Sequence, residues 1–418
     1  MAAAVGPASI APKSIYCAKL FFLDKHTDIS GTPSKPRRFL IGQLARYGDC
    51  LYATTIAKQI KKDHPNSHVT WAVAENFKSI LYLNPHVDAV WPVPIIGGDY
   101  YLAGWKNFET EALRRKAAGE FDEIIFSQVA PLNWINYTGT IRGTILSAYK
   151  KPITVNVSPV LQLSAAEVEN VRGFATANQL GTYKNVILFE CMPGSGQSNV
   201  NPAFAVRVAK DVISQYPDTC FILSSQSPEA FPDPRILSAA SLSFRENAEL
   251  TKYCTLLIGC SSGITWVATS DWAKKIPMLQ LFSAKPSIYA GVHHDFELNG
   301  LDTGHILEIK DDRADQVVEV ISSIFTNEFA QVKARYHQKN VPGYRDFKKI
   351  VEQLVKDRYP YRAIMDFARR YVARSIEDHA PLYLNFAAFG VQLGLSKINR
   401  ELMDATKPVK RVLKKKKA

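Results

Sequence analysis

Short apolar runs recur along the chain, separated by turn residues and by stretches with helical spacing. Arg38-Phe-Leu-Ile-Gly-Gln-Leu44 reads as a buried strand, and Ala45-Arg-Tyr-Gly48 as a turn. Apolar positions Leu51, Ile56, Ala57 and Ile60 predict a helix from about Cys50 to Asp63, stopped by Pro65-Asn66-Ser67. Strands follow at 68–74, 87–93 and 121–127, with a short helix at 77–83. A second run of the same kind starts near 185. It predicts strands at 185–190, 219–224, 255–259 and 277–282, and helices from Pro202 to about Tyr216, around Ala248–Tyr253, and after Gly263 to about Asp271. Strand alternating with helix predicts parallel sheets with crossover helices. Beyond about Ile324 the pattern is helical, over Tyr344–Arg374 and again over Pro381–Leu402. The predicted fold is α/β: two Rossmann-like domains facing across a cleft, with a helical C-terminal extension. The expected division is a loose leader at 1–35, an N-terminal domain at 36–150, a connecting segment at 151–184, a second domain at 185–325 and the extension at 326–418.

Length agrees with this plan, since 418 residues exceed one compact domain and suit two domains with additions. An apolar share of 46% and a charged share of 22% are ordinary for a globular chain. No stretch reaches a membrane-spanning length. Leu382–Leu395 comes nearest, and Asn385 and Gln392 interrupt it. The opening residues lack the pattern of a secretory signal, so a cytoplasmic location is expected.

The net charge of +12 is local. Seven basic residues and no acidic one lie between Lys407 and Lys417. With the apolar positions Leu382, Phe386, Phe389 and Leu393 before it, this tail predicts peripheral attachment to the inner face of an anionic membrane. A plain solvated end is the bland reading of the same residues. No zinc-finger, helix-turn-helix or RNP-type pattern accompanies the charge, so no nucleic-acid partner is expected. The six cysteines include no C-x-x-C pair, and reduced, mostly buried thiols are expected, with no metal site.

Ligands in tandem α/β folds bind at the carboxyl ends of the strands. Three loops fall there. In Arg46-Tyr47-Gly48-Asp49, glycine permits a tight strand-to-helix turn, and Asp49 is either a helix N-cap or a carboxylate aimed into the cleft as a general base. Glu190-Cys-Met-Pro-Gly-Ser-Gly-Gln-Ser-Asn199 is a hydroxyl-rich loop opening a helix. It is neither a dinucleotide fingerprint nor a P-loop, yet it is able to receive phosphate. Gly259-Cys-Ser-Ser-Gly-Ile-Thr265 joins a strand to a helix start, where free N–H groups attract anions. The chain has no D-x-D triplet to clamp a metal–diphosphate.

Taken together, Arg38-Phe-Leu-Ile, Gly48-Asp49-Cys-Leu-Tyr-Ala-Thr-Thr, Ile60-Lys-Lys-Asp-His-Pro-Asn-Ser-His-Val-Thr-Trp71 and Asn84-Pro85-His-Val-Asp88-Ala-Val-Trp-Pro resemble the N-terminal domain of glycosyltransferase family nine, the ADP-heptose:lipopolysaccharide heptosyltransferases. Residues 185–325 resemble its second domain more loosely. The resemblance implies a GT-B fold and an inverting, metal-independent transfer from a nucleotide-sugar donor to a hydroxyl of a cell-envelope glycan, with no cofactor. It implies that Asp49 is the catalytic base, that Arg46 and Gly48 lie on the acceptor-side loop, and that Ser195, Gln197, Ser261, Ser262, Gly263 and Thr265 receive the donor. The chain departs from the family where a lysine usually precedes a Trp-Pro pair, since Gln197–Asn199 and Asn201-Pro202 stand there. It departs again where Asp-x-Gly-x-x-His is usual, since Ser261-Ser-Gly-Ile-Thr-Trp266 stands there. Neutral residues thus replace an acidic and a basic donor contact. Two rivals follow from that. One is a catalytically silent scaffold or binding protein in a glycan-assembly complex. The other is a different GT-B enzyme such as an epimerase.

Overall fold

The computed structural model describes residues 35–375, apart from 96–97, 101–102, 138, 225–230, 285–286 and 311–312. Almost all of the predicted leader, the apolar positions Leu382–Leu393 and the tail Lys407–Lys417 lie outside the described residues. The described residues from Pro36 onward belong to one compact unit.

In the N-terminal half, β1 (Arg38–Gly42), α1 (Tyr47–Asp63), β2 (His68–Ala74), β3 (Ala89–Val93), α2 (Ala103–Ala117), β4 (Glu123–Phe126) and α3 (Ile141–Leu146) follow in order. The four strands form one parallel sheet, β3-β2-β1-β4. α4 (Ala165–Ala177) links the halves. It is set off by a full capping box, with Ser164 accepting from the Glu167 N–H while Glu167 reaches back to Ser164.

The second half runs β5 (Asn185–Phe189), α5 (Pro202–Gln215), β6 (Thr219–Leu223), β7 (Ile236–Ser238), α6 (Glu246–Leu250), β8 (Leu256–Gly259), α7 (Gly263–Val267), β9 (Met278–Leu281), α8 (Val292–Leu298), β10 (Ile306–Ile309), α9 (Ala314–Thr326) and α10 (Phe329–Tyr336). Its six strands are also parallel, in the order β10-β9-β8-β5-β6-β7. β6, β8, β9 and β10 are buried at every position. That burial is why β6 and β8 read as near-continuous apolar runs rather than alternating ones, while β9 and β10 each carry one buried polar residue, Gln280 and Glu308. The two-sheet α/β architecture is the one the resemblance implied.

α10 packs through Val332 into the core of the second half. The extension then turns back. α11 (Tyr344–Lys356) and α12 (Tyr361–Ser375) bury Phe347, Leu354, Phe367 and Tyr371 against Tyr137 of the N-terminal half. The single helix expected over 344–374 is two, because Pro360 disfavours helical backbone at Tyr359 and has no N–H to give.

Two buried arginines tie the halves together. Arg245, just before α6, donates to Ser79 O at 3.1 Å and Tyr82 O at 2.6 Å in the N-terminal half, and to Glu167 of the linking helix at 2.7 Å. Arg142 of α3 donates to Asp295 of α8 at 2.8 Å and to Val157 O at 2.8 Å. Its guanidinium carbon lies 4.6 Å from the centre of the Tyr52 ring and 5.3 Å from that of Phe296. Among the described residues no helix is long and apolar enough to cross a membrane. Five of the six cysteines are described, and all five are free and buried.

Candidate functional site

The carboxyl ends of both sheets open on one cavity of about 840 Å³. Its N-terminal wall is the turn from β1 into α1, which buried polar groups hold in place. The Gln128 side-chain Oε1 accepts from the Leu44 N–H at 2.8 Å and the Ala45 N–H at 3.1 Å, and the Trp71 indole donates to Gln43 O at 3.2 Å.

α1 begins at Tyr47, three residues before the predicted Cys50, and Arg46 is its N-cap with extended backbone. Asp49 is therefore the third helical residue, not the cap. Its carboxylate accepts from the Arg46 N–H, the backward half of a capping box. The rest of the side chain faces the cavity. Burial pushes the Asp49 carboxyl up to about 7, against the opposing pull of the Arg46 N–H and guanidinium. A carboxyl near neutrality takes up a proton readily at neutral pH.

The turn also meets the second half directly. A Cβ on Gly48 would stand 2.9 Å from Trp266 Cδ1, so glycine is required by the approach of the indole. Sequence analysis had assigned it to turn geometry. Tyr47 stacks on Phe244 with ring centroids 4.2 Å apart and planes 16° apart. Arg46 Nη1 lies 3.5 Å from Gly194 O.

On the opposite wall, Glu190 governs the site, and sequence analysis did not single it out. It follows the apolar strand β5 and is 2% exposed. One carboxylate oxygen accepts from the Cys260 N–H and the Thr265 hydroxyl, both at 2.7 Å. The other accepts from the Ile264 N–H at 2.7 Å, with the Thr265 N–H at 3.4 Å. Gln280 takes the Ser261 N–H at 3.0 Å. The N–H groups at the start of α7 are thus largely engaged by the protein's own carboxylate and amide. Burial raises the Glu190 carboxyl, and its donors pull it back.

The expected donor-binding residues divide accordingly. Ser195, Gln197, Ser261, Ser262 and Gly263 line the cavity, as do Arg46, Gly48 and Asp49. Thr265 does not. It is fully buried, and its hydroxyl is held by Glu190, which corrects the expectation that it faces a ligand. Gln197 is on the wall, but its amide donates to Tyr289 O at 3.2 Å and Ala290 O at 3.1 Å. Ser195 donates to Cys260 O at 3.2 Å, and Ser262 Oγ accepts from the Gly194 N–H at 2.9 Å. The 190–199 loop is therefore held to its neighbours by the Ser195 hydroxyl, the Gln197 amide and the Gly194 N–H. Ser261 has φ +50, the left-handed region that a non-glycine residue seldom occupies.

Other wall residues were missed from sequence. Asp295, paired with Arg142, closes one end, and its carboxyl is raised by burial and lowered again by the Arg142 charge. Asn247 is 4% exposed. Its Nδ2 donates to Ser243 O at 3.0 Å, which leaves Oδ1 without a partner. Ser224 Oγ, also on the wall, is likewise unpartnered. The described residues contain no group of three His, Cys, Asp or Glu side chains placed to hold a metal ion.

Two parallel α/β halves around a shared cavity, with a near-neutral carboxyl on one wall, define a class of fold and site. No family model and no curated protein matches the chain. Among solved structures, the chain is similar to a glycosyltransferase of family nine from Veillonella parvula. The two share 15% identity and a TM-score of 0.48, over 68% of this chain and 89% of that one. It is similar to the ADP-heptose lipopolysaccharide heptosyltransferase II of E. coli at 15% identity and a TM-score of 0.47, over 69% and 98%. A UDP-N-acetylglucosamine 2-epimerase is similar at 10% identity and a TM-score of 0.44, over 78% and 98%. These are likenesses of chain path, and the chemical reading rests on the site itself.

Proposed function

We propose that the protein is an inverting glycosyltransferase that moves a sugar from a nucleotide-sugar donor to an acceptor hydroxyl without a metal ion. The observation that carries this reading is the Asp49 carboxyl, pushed up to about 7 and facing the cavity between the halves. A sugar hydroxyl is a weak nucleophile until a base takes its proton. Asp49 takes that proton as the hydroxyl oxygen attacks the anomeric carbon. The bond from that carbon to the diphosphate oxygen breaks on the opposite face, and the configuration inverts. The sequence resemblance at residues 38–93 makes a cell-envelope glycan, such as lipopolysaccharide core or capsule, the acceptor class to test. A cytoplasmic enzyme meeting a lipid-linked acceptor at the inner membrane face accords with the basic tail.

Glu190 favours a second reading. A carboxylate at the start of α7 occupies the N–H groups that an incoming phosphate would use, as in a GT-B fold turned scaffold. One experiment separates the two. The full chain is screened by thermal shift with ADP-, GDP-, UDP- and CMP-sugars, and transfer is then assayed with and without EDTA. A binding donor raises the melting temperature, by an amount equal to about 2.7 kcal/mol at a hundredfold excess over Kd. Transfer that survives EDTA supports the enzyme reading. No shift with any nucleotide sugar supports the scaffold, and a strict metal requirement refutes the metal-free mechanism.

A further inference from the structure

We infer that Arg46, on the acceptor-side turn, is the group that holds the leaving diphosphate, in place of the helix start at α7. The inference rests on the glycosyl-transfer reading above. Three observations carry it. First, the backbone N–H groups of Cys260, Ser261, Ile264 and Thr265, leading into α7, are engaged by Glu190 and Gln280, and the Glu190 carboxylate repels a further anion behind them. Second, among the described residues lining the cavity, Arg46 is the one lysine or arginine. Third, its guanidinium already reaches the opposite wall. Nη1 stands 3.5 Å from Gly194 O, against a loop whose Gly194 N–H is tied to Ser262. Among the described residues, no carboxylate lies within salt-bridge distance of it.

The chemistry fits this placement. As the glycosidic bond forms, the donor's carbon–oxygen bond breaks, and its electron pair goes to the diphosphate, which gains a negative charge. The hydroxyl proton passes to Asp49, which becomes neutral. The fixed positive charge is then left to the diphosphate alone, and a guanidinium presents paired N–H groups to phosphate oxygens. Base and cation are three residues apart at one helix start, so the cleft holds both from a single braced turn.

The test uses the full chain as wild type, Arg46→Lys and Arg46→Gln. Isothermal titration is run with ADP, GDP, CDP and UDP, and with the uncharged nucleoside of the best binder, at several salt concentrations. The expected result is a loss of about ten- to hundredfold in diphosphate affinity for Arg46→Gln. Its salt dependence should be flatter, Arg46→Lys should lie between, and nucleoside affinity should be equal in all three. The Arg46 side chain is exposed, so melting temperatures stay level. Equal diphosphate affinity and salt dependence in wild type and Arg46→Gln overturns the inference alone. Absence of any nucleotide binding by the wild type overturns the glycosyl-transfer reading and this inference with it. A role confined to tuning Asp49 is recognised by a shifted pH–rate limb with unchanged diphosphate affinity, which also overturns it.

Discussion

Asp49→Asn isolates the proton acceptor with little change of shape. The amide oxygen still accepts from the Arg46 N–H, so the start of α1 keeps its cap. What disappears is the ability to take a proton. Positioned general bases contribute typically 10²–10⁴-fold, equivalent to about 2.7–5.5 kcal/mol of barrier at 1.36 kcal/mol per decade. Stability moves the other way. The Asp49 carboxyl ionises near 7 in the folded chain, against an ordinary 3.8. A group raised in this way contributes stability below its unfolded pKa and loses it as pH climbs through about 7. At 1.36 kcal/mol per pH unit, ionised Asp49 costs the fold up to about 4 kcal/mol at pH 8, less whatever water in the cleft screens. The variant should therefore match the wild type in urea melts at pH 4 and exceed it at pH 8, while transfer falls at least about a hundredfold. Wild-type transfer should drop about tenfold per pH unit below 7. Near-normal turnover in the variant, or an acid limb near pH 4, refutes the assignment of the base.

Three further outcomes follow from the same contacts. Glu190→Gln turns one acceptor oxygen into a donor facing the N–H groups of α7 and the Thr265 hydroxyl, and should cost about 1–3 kcal/mol in urea melts. Equal stability would show that those donors need no carboxylate. Asp295→Ala leaves the buried Arg142 charge unpaired and should cost about 3–5 kcal/mol by the same measurement. A change below 1 kcal/mol would mean that the pair does not brace the halves. For the basic tail, full-length protein should co-sediment with anionic liposomes at low salt and release at high salt, where the Debye length shrinks from about 8 Å. A chain ending at Asp404 should stay in the supernatant, and equal binding by both rules the tail out as the anchor.

Much of the scaffold was legible because the strands of buried parallel sheets are continuous apolar runs. His68–Ala74 agrees with expectation at both ends, and Asn185–Phe189 within one residue. Elements were missed where the pattern is weak. β7 is only three residues long, and α2 carries few buried side chains, Trp105, Phe108 and Ala112, on a polar helix. The helix after Gly263 stops at Val267, four residues before the expected Asp271. The site was half legible. Gly48-Asp49 stands out as a turn after a strand, but its partners across the cleft do not. Trp266 and Phe244 read as ordinary core aromatics, and Asp295 sits in a short helix with no motif around it. They matter only because the fold brings residues from 142 to 295 beside residue 49. The one available signal was Glu190, a charge placed directly after five strand residues.

Glu190 also explains why the two readings of this chain diverge from a shared scaffold. A strand–loop–helix junction gives its free N–H groups to whichever anion is present. Here the chain supplies that anion from the residue after β5; the buried Thr265 hydroxyl donates to it, and the buried Gln280 accepts from the neighbouring Ser261 N–H. Such an arrangement fixes the loop from within, since the Cys260 and Ile264 N–H groups are taken by Glu190 and the Ser261 N–H by Gln280. It also removes the cheapest phosphate site from the donor wall. On the glycosyl-transfer reading, a diphosphate would then be recognised by side-chain charge, which among the described cavity residues Arg46 alone carries as a cation, beside the base. Loss of Arg46 would leave the internal carboxylate at the junction and remove the one cation among the described residues of the cavity wall. On that reading donor binding leans on one guanidinium, and the roughly ten- to hundredfold loss expected for Arg46→Gln measures how far.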